Sequence, residues 1–186
     1  MSVTAANKPL QILLTGPPGV GKTTLVKKIC SSLQAEEVSI SGFYTEEVRN
    51  GGQRIGFDVV TMEGKRGTLA RVGGTGGMPK VGQYSVDVKS FESLALPTLE
   101  SQQAVITVID EIGKMEMFSE PFKQMVVKVF KSCKPILATI PLPKGRPLPF
   151  IDNLKKGQNV RVVMVNRENR NSLADELSAS LLATTK

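Results

Sequence analysis

The amino-acid sequence predicts an α/β protein with a mostly parallel sheet and helices on both of its faces. In the second half of the chain, three short apolar runs alternate with three helical patterns. The apolar runs are unbroken, which is typical of parallel strands that are covered on both faces. The runs are residues 104–109, 135–140 and 160–165, and the helical patterns are residues 120–131, 150–156 and 172–182.

The first half of the chain predicts a strand, a helix and an antiparallel insertion. Residues 10–15 form a short apolar run, and residues 22–34 place apolar side chains at helical spacing. Residues 42–72 are extended runs separated by turn signals, and Asn50-Gly51 is a strong hairpin signal. We therefore expect an antiparallel β-hairpin to be inserted near the second strand.

The region after the predicted hairpin contains a loop, a strand and a helix. Residues 73–82 are too rich in glycine to pack and predict a mobile loop. Residues 84–88 predict a short strand, and Ser90 is a suitable N-cap for a helix that reaches residue 100.

Length and composition predict one domain. The chain has 186 residues, of which 40% are hydrophobic, and this is enough for one sizeable core but short for two. We expect residues 1–186 to form a single domain. No run approaches the ~18 apolar residues of a membrane span, and residues 1–9 match no targeting signal. These features predict a soluble, intracellular, cytoplasmic protein, and we expect it to be a monomer.

Composition also limits the chemistry that is available. The chain has no histidine, which excludes Ser-His and Cys-His nucleophiles, and Cys30 and Cys133 match no metal or redox spacing. The net charge of +7 predicts an anionic partner. Because the basic residues are scattered and only 5% of residues are aromatic, a small phosphorylated ligand is favoured over nucleic acid.

A loop between the first strand and the first helix matches the phosphate-binding pattern G-x-x-x-x-G-K-[ST]. Its glycines allow successive backbone N–H groups to surround an anion at the positive end of the following helix. Lys22 is predicted to contact the terminal phosphates, and the Thr23 hydroxyl to bind Mg²⁺. The predicted nucleotide-binding residues are Gly16, Pro17, Pro18, Gly19, Val20, Gly21, Lys22, Thr23 and Thr24.

Two carboxylates follow the apolar run at 104–109 and match the Walker B pattern. Because this strand would end at the carboxyl edge of the sheet, where ligands of open α/β folds bind, Asp110 is predicted to hold Mg²⁺. Glu111 could accept a proton from the attacking water or orient it. We therefore predict Lys22 and Glu111 as catalytic residues, and Thr23 and Asp110 as metal ligands.

Further charged residues could act near the transferred phosphoryl group, where arginine or lysine usually offsets the spreading charge. Thr139 could sense the terminal phosphate or lie at the surface, and both interpretations stay open. The charged candidates are Lys114, Glu116, Lys144, Arg146, Arg167 and Arg170.

Seven stretches, taken in chain order, form a recognisable set: GPPGVGKTTL, GFYTEEVR, RIGFDVVT, KVGQY, VIDEIGKME, TIPLPKG and NRENRN. Together they resemble one family, the cancer-related nucleoside-triphosphatases and their small relatives from thermophiles. The resemblance extends over almost the full chain. It implies a P-loop fold of the additional-strand, catalytic-glutamate kind, Mg²⁺ dependence, and slow hydrolysis of several nucleoside triphosphates with little base preference. Nothing is transferred to residues 73–82, which are shorter and plainer than the family pattern.

These observations predict a P-loop fold whose parallel strands, numbered along the chain, have the order 5-1-4-3-2. The predicted function is Mg²⁺-dependent hydrolysis of the β–γ bond of ATP, GTP, CTP and UTP with low base selectivity. A second hypothesis is a small nucleotide or metabolite kinase, with basic hairpin residues forming a lid and Glu46, Glu47 or Glu111 activating an acceptor. A third is a regulatory ATPase that works on nucleic acid. The possible lid residues are Arg49, Arg54, Lys65, Arg66 and Arg71.

Overall fold

A nine-stranded sheet and five α-helices make up the computed structural model, which describes residues 10–74, 76–145 and 147–185. The strands are β1 (Gln11–Thr15), β2 (Ile40–Asn50), β3 (Gln53–Thr61), β4 (Arg66–Val72), β5 (Lys80–Val81), β6 (Tyr84–Val86), β7 (Ile106–Ile109), β8 (Ile136–Thr139) and β9 (Val160–Met164). The helices are α1 (Lys22–Ala35), α2 (Val88–Leu99), α3 (Glu120–Lys131), α4 (Pro149–Lys155) and α5 (Ser172–Ala183).

The sheet has the order β5-β6-β4-β3-β2-β7-β8-β1-β9. Its five parallel strands are β9, β1, β8, β7 and β2 in that sequence, which is the predicted 5-1-4-3-2 arrangement. The nine-stranded order differs from the prediction because four antiparallel strands continue the same sheet beyond β2. The predicted α/β class is confirmed.

The predicted hairpin is continuous with the parallel sheet. The first residues of β2 pair with β7 in parallel, and the same strand then continues as the partner of antiparallel β3. Pairing of β3 with β4 adds a third antiparallel strand. Because β2 belongs to both parts, the antiparallel strands are fixed relative to the carboxyl ends of the parallel strands.

Two hydrophobic cores lie on opposite faces of the sheet. Successive side chains of a strand point to opposite faces, so Ile12 and Leu14 of β1 belong to one core and Leu13 to the other. Helices α1 and α5 cover the first face, and α2, α3 and α4 cover the second. Within the described residues, no helix has the length and apolar character needed to cross a membrane.

Two local predictions were wrong. Helix α2 begins at Val88, and its N-cap is Asp87, whose Oδ1 accepts a hydrogen bond from the Ser90 N–H at 2.9 Å. Ser90 is therefore the residue that is capped. The segment predicted as an unpacked loop contains β5, and Val81 of this strand packs against the second core. Thr75 of the same segment lies outside the described residues.

Candidate active site

The carboxyl ends of three neighbouring parallel strands meet at one edge of the sheet. Leu14 of β1 lies beside Thr139 of β8, and Ile109 of β7 lies beside Ala138 of β8. The phosphate loop follows β1 directly, and Asp110 follows β7 directly. The parallel register therefore brings the two predicted motifs together, although about 90 residues of sequence separate them.

The phosphate loop leads into α1, whose first N–H groups have no partner within the helix. Gly19 and Gly21 have φ angles of 74° and 104°, in the left-handed region that glycine adopts readily. Gly21 is the N-cap, and as a glycine it has no side chain to cap the first N–H groups of α1. The Lys22 Nζ donates to the Gly16 carbonyl oxygen at 3.3 Å, so the ammonium lies over the loop. This arrangement suits an anion.

Asp110 is buried beneath the loop, with 1% of its surface exposed. Its Oδ1 accepts a hydrogen bond from the Thr139 hydroxyl at 2.5 Å, and its Oδ2 has no hydrogen-bond partner among the described residues. Burial raises the pKa of Asp110, and the hydroxyls of Thr139 and Thr23 and the charge of Lys22 oppose this shift. Oδ2 is therefore a buried carboxylate oxygen to which no described residue donates a hydrogen bond.

Glu111 and Glu116 meet around Gly113. A Cβ atom at Gly113 would lie 2.6 Å from Glu111 Oε1 and 2.9 Å from Glu116 Oε2, so a larger residue here would require both carboxyl groups to shift. The Gly113 N–H donates to Glu116 Oε2 at 3.1 Å. Burial, followed by the negative charge of Asp110, raises the pKa of Glu111 to about 7, and burial with the charge of Glu111 raises the pKa of Glu116 to about 8.

One pocket of about 430 Å³ joins the phosphate loop to the acidic residues. Its walls come from the phosphate loop, the segment after β7, the antiparallel strands and the segment between β8 and α4. The predicted site residues that line it are Gly16, Pro18, Gly19, Lys22, Thr23, Glu111, Lys114, Glu116 and Lys144.

Other candidates lie elsewhere. Thr24 lines a separate, more open surface pocket together with Lys28 and Asn171. The Arg170 guanidinium donates to the Val20 carbonyl oxygen at 3.1 Å, behind the phosphate loop. Pro17, Val20, Gly21 and Arg167 do not line the large pocket within the described part of the chain, and Arg146 lies outside the described residues.

Most of the possible lid residues are paired within the antiparallel strands themselves. Arg66 and Arg71 both pair with Asp58, and Arg66 also pairs with Glu46. Arg49 pairs with Glu47. Of the predicted lid residues, only Arg54 lines the large pocket within the described chain. Glu47, which was considered as a group that activates an acceptor, also lines this pocket. The side chains that sequence reasoning missed there are Thr45, Phe57, Leu69, Val81, Met115, Pro141, Leu142, Pro143 and Leu148.

Thr139 is neither at the surface nor among the residues that line the large pocket in the described chain. Its hydroxyl is buried and bonded to Asp110, so the structure assigns it to the support of that carboxylate. The sequence offered one signal for this role, a polar residue at the end of an apolar strand.

A Walker A loop and a Walker B carboxylate at the carboxyl edge of a 5-1-4-3-2 parallel sheet define a P-loop protein. A family model described as NTPase matches residues 11–178. A cancer-related nucleoside-triphosphatase homolog of Bos taurus is 48% identical over 94% of this chain and 98% of its own length. The nucleoside-triphosphatase THEP1 of Thermotoga maritima is 42% identical over 92% of this chain and 95% of its own length.

The chain belongs to the NTPase family that contains the cancer-related nucleoside-triphosphatases and THEP1. The solution structure of the human cancer-related nucleoside triphosphatase superposes with a TM-score of 0.83 at 47% identity, covering 95% of this chain and all of that one. The resemblance inferred from the sequence motifs is confirmed.

Proposed function

We propose that this protein is a Mg²⁺-dependent nucleoside-triphosphate phosphohydrolase that cleaves the β–γ bond of ATP, GTP, CTP and UTP with low base selectivity. One observation carries the proposal: Lys22 and Thr23 of the phosphate loop line the same pocket as Glu111, above the buried Asp110. Relatives named nucleoside-triphosphatases, which are hydrolases, support it.

The phosphate loop binds and orients the triphosphate in this proposal. Backbone N–H groups of Gly19 and of residues 21–24 donate to the phosphate oxygens, and the N-terminal end of α1 adds its partial positive charge. The bond from Lys22 Nζ to the Gly16 carbonyl is long, at 3.3 Å, so the ammonium exchanges it readily for a terminal phosphate oxygen. Lys22 then stabilises the negative charge that spreads over the transferred group.

Glu111 takes the proton of the attacking water. The water oxygen forms a bond to the γ-phosphorus, the bond from this phosphorus to the β–γ bridging oxygen breaks, and the diphosphate leaves with the electron pair. One water proton passes to the Glu111 carboxylate. A pKa raised to about 7 suits this task, because a general base works best when its pKa lies near the operating pH.

The residues at the base of the pocket fit a bound Mg²⁺. Asp110 Oδ2 is buried without a partner, and the Thr23 hydroxyl lies near the same carboxylate. No group of three or more His, Cys, Asp or Glu side chains suited to a metal occurs in the described ranges. Thr23 and Asp110 would thus hold the ion with substrate phosphates and water, as is usual for Mg²⁺. When bound, Mg²⁺ offsets the negative charge of the phosphate oxygens.

Low base selectivity follows from a site built on phosphate and metal contacts. Such contacts are the same for all four triphosphates, and the chain has no Asn-Lys-x-Asp guanine signature. The test is phosphate release from ATP, GTP, CTP and UTP, with and without Mg²⁺ and without any phosphoryl acceptor. We expect Mg²⁺-dependent release from all four. A preference above about a hundredfold, or ~2.7 kcal/mol, would contradict low selectivity, and turnover without divalent metal would contradict the metal site.

A further inference from the structure

The candidate active-site pocket contains more apolar surface than a triphosphate and a metal ion require. Phosphate oxygens and Mg²⁺ are bound by N–H groups, hydroxyls, carboxylates and ammonium groups. Part of this pocket is instead lined by hydrocarbon side chains. The apolar side chains that line it are Phe57, Leu69, Val81, Met115, Leu142 and Leu148.

An aromatic corner forms the wall on the side of the antiparallel strands. The Phe57 and Tyr84 rings pack edge to face with centroids 5.3 Å apart, and the Arg54 guanidinium lies 5.1 Å from the centroid of the Phe57 ring. Arg54 Nε donates to the Tyr84 hydroxyl at 2.9 Å, and its Nη1 donates to Glu47 at 2.8 Å. These contacts hold the Arg54, Phe57 and Tyr84 side chains in place. Less conformational entropy is therefore lost when a ligand binds against them.

Two further segments of the lining present two cations beside apolar side chains. Lys144 lies in the segment between β8 and α4 with Leu142 and Leu148, and Lys114 follows Glu111 after β7. Both lysines are exposed, and neither has a hydrogen bond or an ion pair to another described residue. Arg54, by contrast, is paired with Glu47. The two unpaired ammonium groups suit an anionic ligand.

The proposed nucleotide placement puts the nucleoside away from this apolar surface. In the proposed function, the terminal phosphate lies at Lys22, Thr23 and Glu111, and all three line the pocket. Thr24, the last residue of the predicted phosphate-binding set, lines a different surface with Asn171. In that placement the terminal phosphate enters the pocket, and the nucleoside would leave on the side of Thr24.

We propose that the pocket beyond the terminal phosphate binds a second molecule, an aromatic phosphate monoester, at the same time as the nucleoside triphosphate. Its ring packs against Phe57 and Leu148, and its phosphate pairs with Lys114 and Lys144. A pocket of about 430 Å³ is within the range of small-molecule sites. This inference rests on the nucleotide placement of the proposed function. The bound monoester occupies the space from which water reaches Glu111, so it lowers turnover without displacing the nucleotide.

Phenyl phosphate is the probe that tests this site, with inorganic phosphate as the matched probe that lacks the ring. The protein carries ¹³C-methyl methionine and is saturated with Mg²⁺ and the β,γ-imido analogue of ATP. Met115 lines the pocket, whereas Met62 lines a different one and serves as the internal reference. We expect phenyl phosphate to shift the Met115 signal saturably with a Kd on the order of 1 mM, and inorganic phosphate to bind more weakly.

Variants at two exposed lysines test whether phenyl phosphate binds in the proposed pocket. Lys144→Ala should weaken phenyl phosphate binding by roughly fivefold or more, and Lys156→Ala, an exposed lysine outside the pocket, should leave it unchanged. The proposal would be overturned if phenyl phosphate left the Met115 signal unchanged, or if both variants lost the same affinity for phenyl phosphate. It would also be overturned if phenyl phosphate displaced the imido nucleotide. Should the imido nucleotide itself fail to bind, the proposed function fails, and the same titration of the nucleotide-free protein still tests the second site.

Discussion

The Thr139 hydroxyl donates a hydrogen bond of 2.5 Å to Asp110 Oδ1, which joins the ends of the neighbouring strands β8 and β7. Both side chains are buried, with exposed fractions of 0% and 1%. Because this bond occupies Oδ1, the unpartnered Oδ2 is the oxygen left for a cation. Thr139 thus orients the carboxylate that we propose as a metal ligand.

Replacing Thr139 by valine should weaken the binding of the Mg²⁺–nucleotide complex. Valine has nearly the same shape but no hydroxyl, so Asp110 loses its donor while the packing is kept. Loss of such an outer partner typically costs 10-fold to 100-fold in metal affinity, and we expect about tenfold. Titration calorimetry with the imido analogue measures it, and Thr139→Ser should restore binding. Equal affinities for the wild type and Thr139→Val would exclude this role.

Replacing Gly113 by alanine should reduce turnover while leaving nucleotide binding intact. The new methyl group would lie 2.6 Å from Glu111 Oε1 and 2.9 Å from Glu116 Oε2, so both carboxyl groups must move. A displacement of this size can cost about 10²-fold in rate. Gly76→Ala is the control, because a Cβ there meets no atom within 4 Å. If Gly113→Ala hydrolyses triphosphate as fast as Gly76→Ala, the position of Glu111 does not matter to the reaction.

The rate of hydrolysis should rise with pH and level off near pH 7. Burial and the charge of Asp110 raise the pKa of Glu111 to about 7, and a general base acts only when it is ionised. Below this pKa, kcat/KM should therefore fall about tenfold per pH unit. Phosphate release measured from about pH 5.5 to 8.5 tests the profile. A flat profile across this range would show that Glu111 does not titrate during the reaction.

Replacing Lys22 by alanine should abolish turnover and weaken triphosphate binding. Within the phosphate loop Lys22 is the one residue with a full positive charge, and no other charge replaces it there. Steady-state phosphate release and calorimetry measure the two effects, with Lys131→Ala on the exposed surface of α3 as the control. Near wild-type release from folded Lys22→Ala would contradict the assignment of this loop.

The sequence predicted those site residues that belong to local sequence motifs. Lys22 and Thr23 were found because loop, strand and helix are adjacent in the chain, and Asp110 because it ends an apolar run. Phe57 was missed because it joins the pocket only through the pairing of β3 with β2, which contacts β7. The start of α2 was misplaced because Asp87 and Ser90 are both good N-cap residues, and only the backbone geometry decides between them.

The close approach of the Glu111 and Glu116 carboxyl groups to Gly113 was also not predicted from the sequence. It depends on how the chain turns after β7 to bring Glu116 back beside Glu111, and no pattern in that segment specifies the turn. The strand pairing within residues 73–82 was also not predicted from the sequence. Its glycines predicted an unpacked loop, but pairing with β6 holds Lys80 and Val81 in the sheet.

The division of roles between Asp110 and Glu111 is tested most directly by Glu111→Gln beside Asp110→Asn. Both variants are measured by calorimetry with Mg²⁺ and the imido analogue, and by steady-state phosphate release. Glu111→Gln keeps the shape but loses the proton acceptor, so we predict unchanged Mg²⁺–nucleotide affinity with turnover lowered by ~10²-fold or more. Asp110→Asn should lose metal-dependent binding as well. Normal turnover of Glu111→Gln, or loss of nucleotide binding in that variant, would contradict the assignment of Glu111 as the base.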